Sequence, residues 1–224
     1  MRLYVLVEGP TEEAFVKRVL YPHLVTVGLW STPIIVETRR DPGGRKYRGG
    51  GDWSKWRRDL VRLTKGQPGK DVRFTTLFDL YGLPAAFPGL SEYASLGDTG
   101  VRAERLEEAL VADIGDWRLI PYLQRHEFEA LVLAGLEGLA AVLDPGERAP
   151  LAELLELVTV VSPEDVNDGS ETAPSKRIER ALPGYQKVEH GPAALEGVGL
   201  EVLRARCPRF GAWVSRLEKL AVGE

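Results

Sequence analysis

Five consecutive apolar residues, Leu3 to Val7, run directly into Glu8-Gly9-Pro10-Thr11-Glu12. An uninterrupted apolar run of this length fits a strand buried on both faces, the pattern of a parallel sheet covered by helices. Gly9 and Pro10 stop the strand. Thr11 is placed to N-cap the helix that follows, with Glu12 and Glu13 in its first turn, where the helix dipole favours acids. Ala14, Phe15, Val16, Val19 and Leu20 then keep helical spacing. A carboxylate at the end of a buried strand is costly unless it has a use, so Glu8 is the first candidate functional residue.

The strand–helix alternation continues. Ile34 to Val36, Val72 to Phe78 and Trp117 to Leu123 read as three further strands. Helices are expected from Trp53 to about Lys65, capped by Asp52, from Val101 to Ala112, and from near Glu127 through Leu133. Leu80 to Gly100 is rich in glycine and proline and reads as a long loop, a feature that in compact domains is commonly functional. The expected fold is therefore α/β, with a mostly parallel four-stranded sheet flanked by helices. Beyond Pro145 the pattern is helical only: Leu151 to Val161, Pro174 to Leu182, Pro192 to Arg206 and Pro208 to Val222. The expected organisation is a core over residues 1–145 and a helical extension over 146–224 packed on it.

In open parallel sheets, ligands bind beyond the carboxyl ends of the strands. Glu8 follows the first strand, Asp79 ends the third, and Glu127 and Glu129 follow the fourth. Oxygen ligands of this kind suit Mg²⁺ or Mn²⁺. The candidate metal ligands are Glu8, Glu12, Asp79, Glu127 and Glu129. Glu127 and Glu129 share a face if the segment is extended and diverge if it is helical. His126 is a ligand, a general acid or a neutral structural histidine. A site of this type supports phosphoryl chemistry.

Charge is uneven along the chain. Arg39 to Arg73 holds 12 Lys/Arg against 4 Asp, a balance of +8 in a chain of net charge -4. That asymmetry marks either a basic face for an anionic partner or a solvated loop and helix. Arg45, Lys46, Arg48, Arg57 and Arg58 are the candidate nucleic-acid contacts. Tyr47, Trp53 and Trp56 either stack on bases or, for the two tryptophans three residues apart, form a core-facing stripe. The only cysteine, Cys207, excludes an intramolecular disulfide. No apolar run approaches the about 20 residues that span a bilayer. Both point to a cytoplasmic protein.

The segment Val5-Leu6-Val7-Glu8-Gly9-Pro10-Thr11-Glu12 resembles the Glu-Gly-x-Thr/Ser-Glu opening of the Toprim fold. More of the chain resembles a family of stand-alone Toprim-like bacterial proteins described as a domain of unknown function. The shared segments are Phe78-Asp79-Leu80-Tyr81-Gly82-Leu83-Pro84, Gln124-Arg125-His126-Glu127-Phe128-Glu129-Ala130-Leu131, Ala173-Pro174-Ser175-Lys176-Arg177-Ile178 and Tyr185-Gln186-Lys187-Val188-Glu189-His190-Gly191. The family is distantly similar to the Toprim part of the overcoming-lysogenization-defect (OLD) nucleases. The resemblance implies a Toprim sheet and a metal-dependent nuclease, or a related phosphodiester-acting enzyme, on DNA or RNA. It also implies a defence or repair setting with a separate ABC-type ATPase. The alternative it implies is a non-catalytic partner or regulatory subunit of such an ATPase. Toprim enzymes usually carry Asp-x-Asp where this chain has Asp79-Leu80-Tyr81. Among the late basic residues Lys176, Arg177 and Lys187, Lys176 is the expected catalytic lysine. The sequence has no Gly-x-x-x-x-Gly-Lys-Ser/Thr loop, so the expected ATPase is another chain.

Overall fold

The computed structural model describes residues 1–36, 52–143, 145–166 and 172–222. Strand β1 (Arg2–Val7) is central and pairs in parallel with β2 (Trp30–Ile35) on one side and β3 (Val72–Asp79) on the other. Strand β3 then pairs in parallel with β4 (Leu119–Ile120) and, further along, with β5 (Leu123–Gln124). The sheet order is β2-β1-β3-β4. A parallel sheet with helices on its faces, followed by helices alone, is the architecture the sequence implies.

Alternation along β1 explains both cores. Leu3, Val5 and Val7 enter one apolar cluster, and Leu6 enters the other. Strand β3 does the same, with Phe74 and Phe78 on one side and Leu77 on the other. Successive side chains of a strand point to opposite faces, so a continuous apolar run is needed when both faces are covered. The first cluster is completed by Phe15 of α1 (Pro10–Phe15) and by helices of the C-terminal half. The chain continues from α1 through a π-helical stretch, Val16–Leu20, into α2 (Tyr21–Thr26). The second cluster uses α3 (Trp53–Gly66) and α4 (Thr99–Ile114).

Several local expectations shift. Thr11 does not cap α1. Gly9 is the N-cap and Pro10 occupies the first helical position, where its missing N–H costs nothing. Strand β2 begins at Trp30 rather than Ile34 and runs through Pro33, which an edge strand tolerates. The expected fourth strand is divided into β4 and β5 by Pro121, which has no N–H to give to a ladder. Asp52 caps α3 as expected, accepting from Ser54 N–H at 3.0 Å.

The C-terminal half begins with the buried helices α5 (Glu129–Ala134) and α6 (Leu136–Val142), then α7 (Ala152–Val160) and α8 (Pro174–Ala181). The single helix expected from Pro192 to Arg206 is two. Helix α9 (Lys187–Val198) starts earlier and contains Pro192, and α10 (Leu200–Arg206) follows a break at Gly199, whose φ of 79° is disfavoured for residues with a Cβ. Helix α11 (Pro208–Val222) places Trp213 against Tyr122, with ring centroids 4.6 Å apart and nearly parallel. Trp213 Nε1 also donates to Thr75 Oγ1 of β3 at 2.9 Å. Phe210 beside it is fully buried, which contributes roughly 1.5–3 kcal/mol. The late helices thus share the core of the sheet. Cys207 is a buried packing residue.

Candidate functional site

Because β1, β3 and β5 are parallel, the residues that follow them emerge on one edge of the sheet. Glu8 leaves β1, Asp79 ends β3, and Glu127 and Glu129 follow β5. The Asp79 N–H donates to Glu8 Oε1 at 2.7 Å, which ties two of these strand ends together. Gly82 lies over the same carboxylate, and a Cβ there would come within 2.6 Å of Glu8 Oε2. A side chain at this position would have to push the Glu8 carboxylate out of its place beside Asp79.

The electrostatics are those of crowded, poorly compensated acids. Burial pushes Glu8 up to about 8, opposed by the Asp79 N–H and reinforced by Glu12. Burial also raises Asp79 well above the carboxylate range, and the charges of Glu8, Glu12, Glu129 and Glu127 push the same way. Glu12 is raised by burial, with the backbone N–H groups of Glu12 and Gly9 and the charge of Lys187 opposing. Its place three residues after the N-cap also makes it a capping-box acid. Glu129 is 3% exposed and raised by burial, while Lys187 Nζ pairs with its Oε1 at 2.6 Å. Glu127 accepts from the Ser175 N–H at 2.5 Å, at the start of α8.

The five acids therefore gather in one region, as their spacing along the strands implies. Among the described residues no three acids, histidines or cysteines form a ready-made ligand cage. The donor set nonetheless fits a hard divalent cation. All the donors are oxygens, the groups repel one another, and Lys187 is the cation that reaches them.

Lys176 is placed differently. It pairs with Glu179 one turn along α8 at 2.9 Å, with its side chain 44% exposed. Lys187, at the first position of α9, is the lysine brought to the acids. Arg177 Nε donates to the Thr172 carbonyl at 2.8 Å. Tyr185 is buried with its hydroxyl unpartnered, and burial plus Glu129 and Glu127 raise its pKa. His126 is buried at a φ of 61°, with Nδ1 3.1 Å from the Tyr81 hydroxyl. Burial and the charge of Arg125 lower its pKa, opposed by the Glu164 backbone and by the charges of Asp165 and Glu127.

Of the candidate nucleic-acid contacts, Arg57 and Arg58 lie on the exposed side of α3. Arg45, Lys46, Arg48 and Tyr47 lie outside the described residues. Arg57 Nε pairs with Asp113 at 2.8 Å, and Arg58 lies 3.7 Å from Asp59. Trp53 and Trp56 are not open to bases. They are 8% and 1% exposed and pack on Phe87 and Phe78. Their three-residue spacing is a core stripe.

Two solved structures of similar proteins span nearly the whole chain at low identity. The C-terminal region of the Burkholderia pseudomallei OLD protein is 16% identical over 98% of both chains, with a TM-score of 0.45. The C-terminal region of the Xanthomonas campestris pv. campestris OLD protein is 16% identical over 98% of this chain and 96% of that one, with a TM-score of 0.41. No curated protein matches. A family model does match, over residues 7–218, and the chain belongs to the family described as Domain of unknown function (DUF4276).

Proposed function

We propose that this chain is a Mg²⁺- or Mn²⁺-dependent phosphodiesterase acting on DNA or RNA. The observation that supports the reading most is the convergence of acids from three strand ends on one sheet edge, with a lysine paired to Glu129 beside them. Glu8 and Asp79 would hold the cation, with Glu12, Glu127 and Glu129 around them. When bound, the cation supplies Lewis acidity and a water of lowered pKa.

The chain's own groups set the conditions for that chemistry. The Asp79 N–H fixes the direction of the Glu8 carboxylate. Glu8, with its pKa near 8, releases its proton as a cation enters, so affinity for the metal rises with pH. Ser175 N–H orients Glu127. Lys187 balances Glu129 in the free protein and supplies positive charge beside a bound phosphate.

The test is cleavage of labelled single- and double-stranded DNA and RNA in Mn²⁺, Mg²⁺ or EDTA. Wild type should cleave only with metal, and Glu8→Gln and Asp79→Asn should each lose roughly 100- to 1000-fold or more. Cleavage that persists in both folded, purified variants refutes the site.

One observation favours a second reading. Tyr81 stands where Toprim enzymes carry a second aspartate, which removes an expected ligand. A non-catalytic partner of an ABC-type ATPase would show no cleavage, no metal binding and co-purification with the ATPase.

A further inference from the structure

Beside the acids lies a cleft of about 330 Å³ lined by Gly97, Asp98, Thr99, Arg125, His126 and Asp165. Arg125 and His126 immediately precede Glu127. Tyr81, two residues after Asp79, joins the two regions: its N–H donates to the His126 carbonyl at 3.0 Å, and its hydroxyl meets His126 Nδ1. The cleft is therefore adjacent to the candidate metal centre.

Its donors are incompletely used. His126 is 3% exposed, and its Nε2 makes no well-formed hydrogen bond, although the Glu164 carbonyl lies near the ring. Buried polar atoms usually find a partner in protein, water or a bound ligand, and this one faces a cleft that can hold one.

The remaining contacts show what a ligand would displace. Arg125 donates to Thr99 Oγ1 from Nε and Nη2, at 3.0 and 2.7 Å, and pairs with Asp165 at 2.7 Å. The Asp165 side chain is 54% exposed and that of Arg125 17%. Asp165 is thus a solvated carboxylate that an incoming anion can replace. Asp98 is committed elsewhere, accepting from the Gly100 and Val101 N–H groups at 2.8 and 3.1 Å. The N-terminus of α4 is already capped, so side chains must hold the ligand.

We infer that this cleft is a phosphate subsite, in which Arg125 and His126 Nε2 hold one phosphodiester of a polynucleotide while a neighbouring one lies over the strand-end acids. In the free protein Asp165 occupies Arg125. The forked guanidinium matches tetrahedral phosphate oxygens, and the adjacent acids suit phosphoryl chemistry. This inference rests on the phosphodiesterase reading.

Anisotropy of a short fluorescein-labelled oligothymidylate, in EDTA and again in Ca²⁺, tests it on the full chain. Arg125→Gln should weaken binding about tenfold. It should also lower the slope of log affinity against log salt by about 0.7, the share of one single-strand phosphate. Asp165→Asn should tighten binding by about threefold, since it removes the competing charge. If Arg125→Gln fails to fold, Asp165→Asn on its exposed turn decides alone. Wild-type binding that neither variant changes overturns the subsite and leaves the metal-dependent cleavage reading standing. Effects on thymidine monophosphate without effects on the oligonucleotide overturn the polynucleotide assignment. No wild-type binding in either buffer also overturns the subsite, and the cleavage assay with Glu8→Gln then decides separately on the activity.

Discussion

Glu107 and Glu164, at 8% and 2% exposed, are buried at least as deeply as the strand-end acids, of which Glu12 and Glu129 are buried and Glu8, Asp79 and Glu127 partly so, but the fold surrounds them differently. Glu107 Oε1 accepts from Arg209 Nη2 at 2.6 Å and from the Leu123 N–H at 2.7 Å. Glu164 accepts from the N–H groups of Arg209 and Phe210, at 2.9 and 3.0 Å. Each therefore has two donors directed at it, and together they fasten α11 to the sheet and to the turn before α8. The strand-end acids have one another for neighbours. Asp79 is acted on by four other carboxylates, and Lys187 balances only Glu129 and Glu12. Burial alone does not mark a functional acid. Burial among other carboxylates, on the sheet edge where ligands bind, does.

The comparison breaks most visibly at Glu107. Glu107→Ala leaves the Arg209 guanidinium buried without its carboxylate and the Leu123 N–H unpaired. The expected loss is about 3–5 kcal/mol of stability, measured by urea unfolding, with metal binding retained wherever the variant is folded. A loss of metal binding in a folded Glu107 variant would erase the distinction between the two sets.

A smaller effect sharpens it. Glu8 rises from 4.5 to about 8 on folding, and Asp79, Glu12 and Glu129 shift the same way. A carboxyl with a raised folded pKa favours the fold while protonated. Its contribution is complete below the unfolded pKa and is lost as pH rises through the folded value. Metal-free protein should therefore lose melting temperature from about pH 5 to pH 8 and above. Mn²⁺ should restore it, and Glu8→Gln should flatten the fall. Glu107 and Glu164 are raised by burial as well, so the part of the fall that Mn²⁺ leaves untouched belongs to them.

Much of this was legible in the sequence, for physical reasons. A continuous apolar run has one economical fate in an α/β chain, so β1 and β3 could be read directly, and with them the common edge of Glu8, Asp79 and Glu127. Pro121 and Gly199 were visible as residues, but whether each breaks an element depends on what packs around it. The tryptophan pair was undecided because three-residue spacing suits a core stripe and a stacking platform equally; contact with Phe78 and Phe87 settles it. Lys187 could not be chosen over Lys176, because its partner Glu129 lies 58 positions earlier and meets it only through packing of α9 on α5. Arg125 stood inside a shared segment without a role, since its pairing with Asp165 and Thr99 appears only once the fold brings them together.

The most direct measurement is Mn²⁺ binding by calorimetry to wild type and to Glu8→Gln. Binding by wild type that tightens from pH 6 to pH 8 and vanishes in Glu8→Gln is the predicted result, since the cation must displace the Glu8 proton. Wild type that binds no Mn²⁺, or Glu8→Gln that binds it as wild type does, contradicts the strand-end metal site.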